Sequence, residues 1–201
     1  MAAPRQALLA AFAFRLAIPT MHSDDVQCNN ESFDAELQNF AGGHMTHVIT
    51  SSIPTTPPWL LTRPDVNFTL HCSDKSNTPL QMFKHRFHEL CHEYKNYYRI
   101  FTDGSKEGNR VAAAVFHQED TKCFQLLDTA SIFRAELYAL LLAMNVVLRS
   151  KEKNFVIFSD SMWSLQSING FNLESDLVQK FLKDYTVLAK NGKNISCGNP
   201  R

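Results

Sequence analysis

Asp103, Glu136 and Asp160 are the residues whose types and spacing suggest chemistry. Asp103 closes the run Tyr98-Arg99-Ile100-Phe101-Thr102, and Asp160 follows Phe155-Val156-Ile157-Phe158-Ser159. Both runs read as buried strands, since they are short, apolar and bounded by turn residues. If a helical crossover makes the strands parallel neighbours, both acids sit at carboxyl ends about 5 Å apart. Ligands of such sheets bind at those ends. Glu136, near the start of the crossover helix, leans over the same edge. Such a cluster has an electrostatic cost of about 4 kcal/mol for two like charges at about 4 Å and an effective dielectric of about 20. A bound cation offsets that cost, or one carboxyl keeps its proton. A set of oxygen ligands favours Mg²⁺ or Mn²⁺ over zinc. Phosphodiester hydrolysis suits it, one ion activating water and another stabilising the leaving oxygen. A single Asp after a strand is more often a turn former or helix cap; the shared edge separates the two readings.

The elements around the acids follow from periodicity. Tyr98–Thr102, Val111–Phe116 and Lys122–Leu127 read as an antiparallel meander, with Gly104, Gly108 and Asn109 as turn formers. Ser131 precedes a long helix in which Ile132, Ala135, Tyr138, Ala139, Leu142 and Val146 recur at three or four. Leu137, Leu140, Leu141 and Met144 widen its apolar face, as expected of a helix buried on a sheet. Phe155–Phe158 is a central strand, Ser161 caps a short helix, Ser175 or Asp176 starts the last one, and Lys193–Ser196 begins a final strand. The order β-β-β-α-β-α-α-β implies an α/β fold with a mixed five-stranded sheet flanked by helices.

The first half carries less pattern. Residues 1–56 read as a poorly structured extension, with helical stretches at Ala7–Leu16 and Phe33–Phe40. Residues 57–96 read as a Pro-rich connection plus a helix in which Leu80, Phe83, Phe87 and Leu90 share a face. Ser51–Pro58 is extended and linker-like, and Asp74–Asn77 is a turn. Residues 97–201 form the structured domain. Lys+Arg and Asp+Glu number 20 each, so binding of nucleic acid would depend on a local basic wall rather than global charge. The five Cys have no CxxC spacing and read as free thiols. His85, His88 and His92 read as a solvated helix face, without acidic or Cys partners at ligand spacing. No apolar run is long enough to cross a membrane. Arg15 interrupts the apolar N-terminus, which disfavours a signal peptide and leaves a mitochondrial transit peptide compatible in charge. An intracellular location is favoured.

The three acidic segments also resemble a family. Thr102-Asp103-Gly104-Ser105, Ala135-Glu136-Leu137-Tyr138-Ala139 and Ser159-Asp160-Ser161 are similar, in order and spacing, to the T-D-G-S, A-E-L-x-A and S-D-S segments of type 1 ribonuclease H domains. The nearest likeness is to those of non-LTR retrotransposon polyproteins. The resemblance implies hydrolysis of the RNA strand of RNA–DNA hybrids, with the hybrid as partner and Mg²⁺ or Mn²⁺ as cofactor. It implies Asp103, Glu136 and Asp160 as catalytic metal ligands, and Gly104 and Ser105 as the segment that approaches substrate. Lys106, Arg110, Lys151 and Lys153 are candidate phosphate contacts, and Trp163 is read as a half-buried packing residue. The family continues past Lys193–Ser196 into a W-x-P-x-H-x-G loop and an N-x-x-A-D segment bearing a fourth acid. Here the sequence reads Cys197-Gly198-Asn199-Pro200-Arg201, and no Asp or Glu follows Asp184. The expectation is a domain incomplete at its C-terminus, lacking the last helix and leaving one sheet face uncovered. A hybrid-binding remnant without turnover is the alternative. An integrase or DNA-resolving nuclease of the wider fold fits T-D-G-S and A-E-L-x-A less well.

Overall fold

Strict alternation along two neighbouring strands divides the protein into two cores. A computed structural model describes residues 57, 60–68, 80–118, 120–170 and 175–199. The helices expected at 7–16 and 33–40, the turn at 74–77 and all of the 51–58 stretch except Pro57 lie outside them. The described strands are β1 (Asp65–Asn67), β2 (Tyr98–Glu107), β3 (Arg110–His117), β4 (Asp120–Leu126), β5 (Asn154–Ser159) and β6 (Asn194–Gly198). The described helices are α1 (Leu80–Glu93), α2 (Ile132–Arg149), α3 (Met162–Asn169) and α4 (Asp176–Lys190). One mixed sheet has the order β1-β6-β5-β2-β3-β4, with β2-β3-β4 antiparallel and β1, β6, β5 and β2 parallel.

Side chains two apart along a strand share a face. Ile100, Val111, Phe155 and Ile157 therefore meet the apolar side of α2, together with Leu177, Phe181 and Leu182 of α4 and Leu165 and Ile168 of α3. Phe101, Phe116, Val156 and Phe158 point the other way and pack against Phe87, Leu90 and Tyr94 of α1 and the segment after it. The Phe87 ring meets Phe158 edge-on with centroids 5.9 Å apart, and Tyr94 meets the same ring at 6.2 Å. This corrects the expectation of a bare sheet face. The covering helix comes from before the first central strand, and its apolar residues at 87, 90, 91 and 94 form one stripe.

The five strands expected from the pattern are all present, and β1 adds a sixth at the edge. Asp65-Val66-Asn67 is too short and polar to register as a strand from its own sequence. It is held because the edge of β6 offers unpaired backbone groups, in the register Asp65–Ser196 to Asn67–Gly198. Two anchors precede it: the Thr62 amide donates to Thr186 Oγ1 at 2.9 Å, and Arg63 donates to the Asn169 carbonyl at 3.1 Å. Among the described residues Cys91, Cys123 and Cys197 are buried and in no disulfide, in keeping with the reading as thiols. Burial pushes the Cys197 thiol up to about 12, so it stays protonated and unreactive.

Candidate metal centre

The parallel pairing of β2 with β5 runs from Tyr98–Phe155 to Thr102–Ser159 and stops there. Asp103 and Asp160 are the next residues on the two strands. The chain diverges at this point for local reasons. Ser159 Oγ accepts from the Ser161 amide at 3.3 Å, and Ser161 Oγ caps α3 by accepting from the Ser164 amide. The β5 chain therefore turns away directly after Asp160. Strand β2 does not turn there. It stays paired with β3 through Asp103–Ala114 and Gly104–Ala113 as far as Glu107–Arg110. The strand expected to end at Asp103–Ser105 thus runs on to Glu107, and of the expected turn formers Gly104, Gly108 and Asn109 the last two make the turn. Gly108 sits at φ 57, which a two-residue hairpin with glycine first requires.

Glu136 arrives from the other layer. Ser131 caps α2 by accepting from the Arg134 amide at 3.1 Å, so Glu136 falls at the fifth helical position, facing back over the sheet edge. Both Arg134 terminal nitrogens donate to the Asp176 carboxylate, at 3.1 and 2.9 Å, tying the start of α2 to that of α4.

The three acids converge. Asp103, Glu136 and Asp160 each present a carboxylate oxygen, and these oxygens lie within 4.8 Å of one another. Among the described residues this is the group of three or more His, Cys, Asp or Glu whose ligand atoms meet so closely. Asp103 and Glu136 are buried, and Asp160 is partly exposed. Glu136 Oε2 and Asp160 Oδ1 are buried oxygens that accept no hydrogen bond from the described residues. An octahedral ion with bonds of about 2.1 Å sets its ligand oxygens about 3–4 Å apart. The donor set fits a hard divalent cation after small side-chain adjustments. It contains no nitrogen or sulfur to favour zinc.

Gly104 makes the convergence possible. A Cβ at this position would stand 2.6 Å from the Glu136 backbone nitrogen and 2.9 Å from two of its side-chain carbons. The α2 backbone can approach β2 this closely only over a residue with no side chain. Gly104→Ala is expected to push the start of α2 outward. Overpacking of this kind costs about 1–3 kcal/mol. Affinity for a divalent ion should fall further than stability, because Glu136 moves away from the two Asp. Thermal melting compared with Mn²⁺ titration checks this, and an unchanged ion affinity beside a lowered midpoint would contradict it.

The remaining residues divide. Ser105 is buried in β2, while Lys106 is exposed and donates to the Ala130 carbonyl at 2.8 Å. Arg110 is exposed on the same hairpin. Lys151 and Lys153 precede β5, a full six-residue strand from Asp160, or about 20 Å; they lie at the opposite sheet end. Trp163 is not a packing residue. It is 76% exposed, and with Ile132, Phe133, Glu136, Ser161 and Ser167 it lines an open groove of about 480 Å³ beside the acids. Sequence reading missed Asn199. It is buried at the carboxyl end of β6, where its amide donates to the Asn67 carbonyl at 3.1 Å and its carboxamide to the Asp160 carbonyl at 3.4 Å. Its position after a third parallel strand was the available signal.

No curated protein matches the chain. The family model for RNase H matches residues 95–194, a span that contains all three acids and every strand from β2 to the start of β6. With the meander, the crossover helix and the acids gathered at one lip of the sheet, residues 95–194 of this chain are an RNase H domain.

Proposed function

We propose that this chain hydrolyses the RNA strand of RNA–DNA hybrids at Asp103, Glu136 and Asp160, with Mg²⁺ or Mn²⁺ as the ion they hold. RNase H domains act in general on such hybrids, and the observation that carries the reading here is the meeting of three carboxylates within 4.8 Å. An ion bound there supplies Lewis-acid stabilisation of charge on the phosphate and a more acidic water. The protein's own part is to fix the ligands. The two Asp ride on the ends of parallel strands, and Glu136 is set by the Ser131 cap and by the space over Gly104.

On this reading the hybrid lies across the lip and is recognised by shape and 2′-OH contacts rather than base edges. Gly104 and Ser105 form the backbone that comes closest to it, and Lys106 contacts phosphate. Trp163 offers an exposed ring beside the acids. Trp163→Ala is expected to weaken hybrid binding by about 1–3 kcal/mol, the usual worth of one aromatic stacking contact. The effect should appear in KM more than in kcat, and fluorescence anisotropy with a labelled hybrid reads it directly. Unchanged affinity would remove Trp163 from the substrate surface. The T-D-G-S, A-E-L-x-A and S-D-S segments support type 1 character, and the Pro-rich connection from Pro57 to Asn96 supports a non-LTR retrotransposon origin.

A second reading is a domain that binds hybrid without turnover. One experiment separates the two. Purified chain is incubated with Mg²⁺ and end-labelled RNA–DNA hybrid, with single-stranded RNA and duplex DNA as controls. Cleavage confined to the RNA of the hybrid supports the first reading, and retention of intact hybrid supports the second. Failure both to bind and to cut the hybrid would contradict each.

A further inference from the structure

The solvent face of α1 carries a second, chemically different ligand set. His85, His88, Glu89 and His92 are all exposed there. They lie three or four residues apart, so they form one stripe along the helix. The opposite stripe, Phe87, Leu90, Cys91 and Tyr94, is buried against the sheet. That packing fixes the rotation of α1 and holds the histidines outward. His88-Glu89-Leu90-Cys91-His92 places two imidazoles four residues apart on one helical face, with a carboxylate after the first. This spacing on a helix is what binding of zinc by a histidine pair requires. It supplies the acidic neighbour that the sequence reading overlooked: Glu89 Oε1 lies 3.3 Å from His85 Nε2.

We propose that the exposed face of α1 binds a late first-row divalent cation of the zinc, copper or nickel class, with His88 and His92 as its nitrogen ligands. Side chains at i and i+4 have Cβ atoms about 5–6 Å apart, within reach of one ion for two imidazoles. Exposed side chains reorient within nanoseconds, so the rings need no backbone movement to meet. Imidazole favours these ions, whereas the oxygen-only cluster at the sheet edge favours Mg²⁺ or Mn²⁺. The two sites therefore sort cations by ligand type. The role assigned is binding, which also ties two turns of the helix that covers the second sheet face. It does not depend on the reading of the carboxylate site.

The test is calorimetric titration of untagged full-length protein with ZnCl₂ in excess Mg²⁺, which keeps the oxygen site occupied. Saturable one-to-one binding is expected, with the thermal midpoint rising by about 5 °C at tenfold excess over Kd. The double variant His88→Ala, His92→Ala should lose affinity by about tenfold or more, while Asp160→Asn should keep it. Both histidines are exposed, so the metal-free midpoint of the double variant should equal that of the parent. Should that variant fail to fold, Cu²⁺ broadening of assigned His88 and His92 ring resonances in the parent gives the same answer. Zinc binding that survives loss of both histidines, broadening confined to the surroundings of Asp103 and Asp160, or no binding at all would overturn the proposal.

Discussion

Asp103→Asn is expected to lower cleavage of an RNA–DNA hybrid by about 10³-fold or more while the fold survives. The carboxylate is one of three whose oxygens meet within 4.8 Å. Replacing it by a neutral amide removes a full charge and one ligand from any shared ion. Lewis-acid stabilisation at such a site is worth several kcal/mol, and each 1.36 kcal/mol is tenfold in rate. The fold should persist, because the substitution is nearly isosteric and relieves repulsion of about 4 kcal/mol per close pair at an effective dielectric of about 20. Single-turnover cleavage and thermal melting, each with and without Mg²⁺, measure both effects. Unchanged cleavage by the variant would remove Asp103 from the chemistry. Loss of folding would show that the residue is structural.

The second large effect concerns α1. A chain that starts at residue 95 keeps the whole span matched by the RNase H family, yet it should fail to fold stably. Phe87, Leu90 and Tyr94 would be gone, and Phe101, Phe116 and Phe158 would lose their cover. Burial of a large apolar side chain contributes about 1.5–3 kcal/mol, against a net domain stability of about 5–15 kcal/mol. Six such residues are enough to exhaust it. The milder Phe87→Ala, which removes a ring packed on Phe101 and Phe158, should cost about 3–5 kcal/mol. Urea unfolding of full-length, Phe87→Ala and shortened chains gives the comparison. A shortened chain with a cooperative transition near that of the parent would show that α1 is dispensable.

What could be read from the sequence, and what could not, follows from where each signal lives. The central strands and α2 were legible because their burial is written in their own residues. Phe155–Phe158 is apolar on both faces, and α2 carries a broad apolar stripe. The carboxylate cluster was legible because parallel strands with acids at their carboxyl ends leave little freedom for where those acids go. The length of β2 was not. Asp103-Gly104-Ser105 looks like a turn, and only pairing with Ala112–Ala114 keeps it extended. Nor was the role of Gly104, since the closeness of the Glu136 backbone is a tertiary fact. β1 was invisible because the edge of β6, not its own three residues, makes it a strand. The covering of the second sheet face was misjudged for a related reason. The stripe on α1 was seen, but which surface it meets is settled by a segment distant from the strands it covers. Trp163 ran against its residue type: tryptophan is usually well buried, and here the ring stands in the groove beside Glu136.

Crystals soaked in Mn²⁺ and measured at the manganese absorption edge examine the shared site without reference to turnover. An anomalous peak is expected at the carboxyl ends of β2 and β5, within bonding distance of oxygens from Asp103, Glu136 and Asp160 together. A saturated soak that leaves this position empty, or an ion that touches only one of the three, would contradict the account.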